Sequence, residues 1–136
     1  MPKTLLDTDI LSEIFKERDA VVTANAARYV HLHGLLSFAS ISMVEMLAGL
    51  YSRDAKNQIT NAELFLGYHD QIVPQPEDYH LSARIIGALK RQGRPIGTED
   101  PLIAACAINR RMPLATGNTR HYQFVIDAGF ELVLEN

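Results

Sequence analysis

The 136 residues fit one domain, and 47% hydrophobic with 21% charged residues supplies enough apolar material for a sizeable core. Thirteen Lys and Arg against sixteen Asp and Glu give a net charge of −3, so the basic excess usual for nucleic-acid binding is missing, and a nucleic-acid substrate would need local basic patches or cations. The one cysteine, Cys106, excludes a disulfide framework or a Cys-based zinc motif and suits a reducing cytoplasm; the opening residues are expected not to form a signal peptide, and no apolar run approaches a membrane span.

In chain order, Thr4-Leu5-Leu6 predicts a buried strand ending at the polar turn Asp7-Thr8-Asp9. Residues 10–17 follow at helical spacing, with Thr8 or Asp9 as the expected N-cap. Residues 19–33 predict a second helix, stopped by Gly34. Residues 35–39 predict a second strand, after which Ser40 or Ser42 caps a helix carrying Ile41, Val44, Met46, Leu47 and Leu50, with Glu45 among them. Residues 54–67 are another helical stretch, Ile72-Val73 a short third strand, and 78–92 a helix ended by Gly93. Residues 97–112 start as a loop and become a helix, with Glu99 and Asp100 at its beginning and a nearly continuous apolar run behind them. Pro113 breaks that helix. Leu114-Ala115-Thr116 is a fourth strand, Gly117-Asn118-Thr119 a polar turn, and 130–134 a last, edge strand. Short apolar strands alternating with helices predict an α/β fold with a mainly parallel sheet.

Open α/β sheets bind ligands outside the carboxyl ends of their strands. Asp7 and Asp9 follow the first strand. Ser40 and Ser42 follow the second, with Glu45 about one helical turn later. Thr116 and Asn118 follow the fourth, and Asp100 starts the helix before it. One sheet edge can therefore gather Asp7, Glu45, Asp100 and Asn118. Three carboxylates in one place repel one another unless a cation lies between them. Oxygen ligands without thiolate favour Mg²⁺ or Mn²⁺, which activates water and stabilises charge on a phosphate. Metal-assisted phosphodiester hydrolysis suits this arrangement best. Each residue also has a structural alternative: turn residue for Asp7 and Asn118, N-cap for Asp9 and Asp100, solvated helix face for Glu45.

Basic residues cluster at Lys90, Arg91 and Arg94, at Arg110 and Arg111, and at Arg120 and His121. The last pair follows Asn118 and is the candidate phosphate contact. Arg110 and Arg111 read as favourable charges at a helix C-terminus. His31, His33, His69 and His80 lack metal-ligand spacing and read as surface or structural. Cys106 reads as a small hydrophobe.

Four stretches carry a family resemblance: Leu5-Leu6-Asp7-Thr8-Asp9-Ile10-Leu11-Ser12-Glu13, Ser42-Met43-Val44-Glu45-Met46-Leu47-Ala48-Gly49-Leu50, Ile96-Gly97-Thr98-Glu99-Asp100-Pro101-Leu102-Ile103-Ala104-Ala105 and Leu114-Ala115-Thr116-Gly117-Asn118-Thr119. In order and spacing they resemble the motif blocks of PIN-domain ribonucleases, VapC-type toxins in particular, and the resemblance covers essentially the whole chain. It implies an α/β/α sandwich with a mainly parallel sheet of four or five strands, as one PIN domain over residues 1–136. It implies a Mg²⁺- or Mn²⁺-dependent endoribonuclease, a homodimer, neutralised by a VapB-like antitoxin and not bound to membrane. It alone points to structured RNA, tRNA included, as substrate. The family's metal acids fall on Asp7, Glu45 and Asp100. Its fourth position, often Asp, falls on Asn118, which removes one negative charge and bears on whether a second cation binds. Thr8, Ser12 and Thr116 are placed to support the acids by hydrogen bonds. Glu99 reads as a first-turn helix residue. Helices within 10–33 and 41–67 offer apolar positions, for the core by default and for an antitoxin helix otherwise.

Two other function classes stand beside this one. Asp7-Thr8-Asp9 after a strand resembles the nucleophile motif of haloacid-dehalogenase-type phosphatases, but Leu11 stands where Thr or Val is wanted, and the chain is short for that family. A degenerate, non-catalytic PIN module is the third class. Asp7, Glu45 and Asp100 speak against it, and Asn118 for it.

Overall fold

Two leucines set the centre of the molecule. In the computed structural model, which describes residues 2–135, β1 (Leu5–Leu6) is only two residues long. Successive strand side chains point to opposite faces. Leu5 packs with Ile85, Leu89, Ile103 and Val125 on one face, and Leu6 with Leu11, Tyr29, Phe38 and Leu66 on the other. Both faces are covered, so the strand carries no polar alternation.

The remaining elements are α1 (Thr8–Lys16), α2 (Ala20–His33), β2 (Ser37–Ala39), α3 (Ser40–Ser52), α4 (Lys56–Tyr68), β3 (Asp70–Ile72), α5 (Pro76–Arg91), α6 (Glu99–Asn109), β4 (Leu114–Ala115), α7 (Thr119–Asp127) and β5 (Leu134–Glu135). The five strands form one parallel sheet in the order β3-β2-β1-β4-β5. This is the predicted α/β sandwich. The chain lays β2 and β3 to one side of β1, then crosses back and lays β4 and β5 on the other. Strand order therefore reverses between β1 and β4, and the crevice beyond their carboxyl ends is where such sheets bind ligands. Asp7 N donates to Ala115 O at 2.9 Å, so both strands end at that crevice. No helix among the described residues is long and apolar enough to cross a membrane.

Helix starts differ from the sequence expectation in ways that matter for the crevice. Helix α1 begins at Thr8, and its N-cap is Asp7, not Thr8 or Asp9. Helix α6 is preceded by Thr98, so Glu99 and Asp100 both lie in its first turn and neither is the cap. Pro101 then sits where helical N–H groups lack partners anyway. Neither Ser40 nor Ser42 caps α3. Its N-cap is Ala39, the Ser40 hydroxyl donates to Ile72 O, and Ser42 is fully buried.

Helix α7 was not foreseen; Thr119 was read in a polar turn, and residues 120–129 were assigned no element. It is a nine-residue helix whose wholly buried positions are Tyr122 and Val125, with Phe124 and Ile126 partly buried beside them. The last strand pairs only through Leu134 and Glu135.

One buried ion pair ties α5 to α6. The Asp78 carboxylate is fully buried and accepts two hydrogen bonds from Arg110, each at 2.9 Å, and others from Asn109 and Gln75 N. Burial pushes Asp78 upward, but these bonds outweigh it and hold its carboxyl below the ordinary range. Arg110 also donates to Cys106 O. It serves the α6 C-terminus as expected and in addition neutralises a buried acid.

Candidate active site

Asp7 closes β1 and is 5% exposed. Its Oδ1 accepts from Thr8 N at 2.8 Å and its Oδ2 from the Thr116 hydroxyl at 2.7 Å. Thr116 follows β4, so this bond spans the crevice. Burial pushes the Asp7 carboxyl up to about 6; the bonds from Thr116 and Thr8 oppose that rise, and the charges of Asp9 and Asp100 add to it.

Glu45 lies one turn into α3 at the exposed mouth of the crevice. The Thr8 hydroxyl donates to Glu45 Oε1 at 2.7 Å and is hydrogen-bonded to Ser42 Oγ at 2.8 Å. Partial burial raises the Glu45 carboxyl above its ordinary value, Thr8 opposes this, and Asp100, Glu99 and Asp9 add to it. Ser12 lines the same small cleft as Thr8 and Glu45. No hydrogen bond among the described residues links it to an acid.

Asp100 stands partly buried in the first turn of α6. Its Oδ2 lies 3.2 Å from Asn118 Nδ2 and 3.2 Å from His121 Nδ1, and those two nitrogens are 3.0 Å apart. Asn118, the N-cap of α7, is anchored by its own N–H to Thr116 Oγ1. The acids are thus linked through short polar neighbours: Asp7 to Thr116, Thr116 to Asn118, Asn118 to Asp100. Arg120 is exposed at the start of α7, while His121 turns toward Asp100.

Sequence reasoning missed two residues here. Asp9 was read as an N-cap. It reaches across to β4's loop, where its Oδ2 accepts from Gly117 N at 2.9 Å. A Cβ on Gly117 would lie 2.7 Å from that same oxygen, so any other residue there would push the Asp9 carboxylate out of this position. The second is Tyr122, fully buried on α7. Its hydroxyl makes no hydrogen bond, although Asp7 and Asp100 are near enough to act on it. The Tyr-x-x-Val spacing after Asn118 was the available signal.

The donor chemistry fits a hard divalent cation. Asp7, Glu45 and Asp100 offer only oxygen, and each of the first two is driven toward its neutral form by burial and by neighbouring acids, a strain that a cation relieves. The unmet Tyr122 hydroxyl marks the same place as unsatisfied. The side chains stand in hydrogen-bonded positions, and no three His, Cys, Asp or Glu among the described residues form a ready-made metal group as they stand.

Comparison with known proteins places the chain in a family. The chain is similar to Ribonuclease VapC1 of Haemophilus influenzae, at 26% identity over 124 residues, covering 90% of this chain and 92% of that one. It is similar to the tRNA(fMet)-specific endonuclease VapC of Shigella flexneri, at 30% identity over 131 residues, 92% of this chain and 93% of the relative. Its fold is similar to that of a chain in the DNA-bound VapBC structure from Salmonella typhimurium, with a TM-score of 0.81 at 21% identity, over 99% of this chain and 98% of that one. The PIN-domain family model matches residues 4–126, and with the strand order, the crevice and its acids described, the chain belongs to the PIN-domain family, within its VapC group.

Proposed function

We propose that this chain is an endoribonuclease toxin that hydrolyses RNA phosphodiester bonds with Mg²⁺ or Mn²⁺ held by Asp7, Glu45 and Asp100. The observation that carries this reading is the meeting of a buried Asp7 with Asp100 and Glu45 at the reversal of strand order. The relatives named ribonuclease and endonuclease support it. The Shigella flexneri relative is named for tRNA(fMet), and structured RNA including tRNA is the substrate class we carry over.

A bound Mg²⁺ or Mn²⁺ supplies a lowered pKa for water and charge stabilisation on a phosphate. The chain's own groups hold and orient. Thr8 N and Thr116 fix the two oxygens of Asp7, and each oxygen keeps a further lone pair. Thr8 Oγ1 aims Glu45. Asn118 and His121 lie against Oδ2 of Asp100 and would hold that carboxylate in place for the ion. Because Asn118 contributes an amide in place of a fourth carboxylate, the proposed ligand set holds three carboxylates and suits one tightly held cation. Exposed Arg120 is placed to meet a phosphate of the RNA.

The partner we propose is a VapB-like antitoxin, as in the VapBC and toxin–antitoxin complexes among the similar folds. Between α2 and α4 runs an apolar groove of about 540 Å³ lined by Ala27, Val30, Leu36, Phe65 and Tyr68, and an amphipathic antitoxin helix fits such a groove. RNA cleavage measured with and without EDTA, beside Asp7→Asn and Asp100→Asn, tests the activity. Loss in EDTA and in both variants is expected; unchanged cleavage in either variant overturns the metal centre. Release of phosphate from a small phosphomonoester without RNA cleavage would favour the phosphatase instead.

A further inference from the structure

Tyr122 carries an oxygen that its packing does not need. Its ring is wholly buried in the cluster formed by Leu5, Ile103, Ala104 and Val125, a role that phenylalanine would fill as well. Buried phenol hydroxyls ordinarily find a partner, and this one has none. It lies beside the carboxylates of Asp7 and Asp100. A phenol keeps its proton at neutral pH, so the group is a donor next to two groups that only accept.

We propose that Tyr122 is a positioning residue of the acid centre: its buried, unpartnered hydroxyl donates to Asp7 or Asp100 once a divalent cation draws those carboxylates together, and so fixes their spacing. This rests on the metal-centre reading above. The direction of movement follows from mobility. The Tyr122 ring is locked in the core, and only its O–H rotor is free. Asp7 caps α1 with both oxygens already held, Asp100 stands in the first turn of α6, and like charge acts between the two until a cation offsets the repulsion. Asp100, the freer of the two, comes to the phenol. A ligand so braced loses less freedom when it binds the ion, which is how outer hydrogen bonds strengthen a metal site.

Tyr122→Phe removes one oxygen and leaves the core volume. Mn²⁺ is titrated calorimetrically into the wild type, Tyr122→Phe, Val125→Ala and Asp100→Asn, with melting followed in EDTA and in Mn²⁺ and with kcat and KM measured on RNA. In EDTA, Tyr122→Phe is expected to melt at or above the wild type, because an unmet donor is gone. Its Mn²⁺ affinity falls about tenfold, its Mn²⁺-induced gain in melting temperature shrinks, and kcat falls while KM holds. Val125→Ala, a cavity on the same helix, lowers melting in EDTA and keeps Mn²⁺ affinity. Wild-type affinity in Tyr122→Phe overturns the proposal, and so does an equal loss in Val125→Ala, which would assign the effect to packing. A wild type that binds no Mn²⁺, or an Asp100→Asn that binds it as tightly, overturns the metal centre itself and the proposal with it.

Discussion

Asp7→Asn is expected to abolish RNA cleavage and yet stabilise the metal-free protein. The folded structure lifts the Asp7 carboxyl from 3.8 to about 6, chiefly by burial. A group raised in this way contributes stability that is fully present below its unfolded value and is lost as pH rises through its folded value. Between pH 4 and pH 6 the metal-free wild type therefore loses stability, and above about pH 7 the loss is complete. At ~1.4 kcal/mol for each pH unit of displacement, the charged carboxylate costs about 2–3 kcal/mol there. Asparagine carries no such charge. Its oxygen still accepts from Thr8 N, and its amide donates to Thr116 Oγ1, which has lone pairs to spare. The assay is urea unfolding in EDTA at pH 4 and pH 7.5, repeated at pH 7.5 with Mn²⁺. Near pH 4 the two proteins should be similar in stability. At pH 7.5 in EDTA the variant should be the more stable by about 2 kcal/mol, and Mn²⁺ should raise the wild type alone. A variant no more stable than the wild type at pH 7.5 in EDTA would refute the claim that the Asp7 charge is under strain.

Three further outcomes are expected. Arg110→Met strands the buried Asp78 carboxylate without its cation, and chemical denaturation should show a loss of about 3–5 kcal/mol. Asp9→Ala and Gly117→Ala break the same hydrogen bond from opposite sides, so each should lower kcat, and the double variant should be no worse than the poorer single one. Asp9→Asn should be close to wild type, because Gly117 N–H needs an acceptor and not a charge. A cycle that is additive instead would separate the two residues. Ala27→Glu, at an exposed position on the rim of the α2–α4 groove, should weaken antitoxin binding at least tenfold, measured by calorimetry, with RNA cleavage by the free toxin unchanged; this is the cost of burying a charge in an apolar contact.

Where the sequence was informative, the reason was local. Leu5-Leu6 before Asp7, Phe38-Ala39 before Ser40, and Leu114-Ala115 before Thr116 announce buried strands that end in polar turns, and parallel strands with both faces covered leave that signature. A supporting role for Thr8, Ser12 and Thr116 beside the acids was anticipated without their partners; Thr116 meets Asp7 and Thr8 meets Glu45, while Ser12 has no hydrogen bond to an acid among the described residues. The helix from 119 to 127 was not anticipated, although Tyr122, Val125 and Ile126 stand at helical spacing, because its start was read only as a polar turn.

By itself, then, the sequence determined the α/β class and the placing of Asp7, Glu45, Asp100 and Asn118 at one sheet edge, since both follow from short apolar runs and the polar residues that end them, and its four motif stretches carried the family resemblance. The tertiary structure alone decided which partner each acid meets. It made Asp7 rather than Thr8 or Asp9 the cap of α1, turned Asp9 toward Gly117 more than a hundred residues away, gave Arg110 to Asp78, and set the Tyr122 hydroxyl beside Asp7 and Asp100. These are contacts between residues far apart in the chain, fixed by strand order and by how two layers of helices pack on the sheet. No local pattern encodes them, because the same residue types in the same order would satisfy several packings until the strand order selects one.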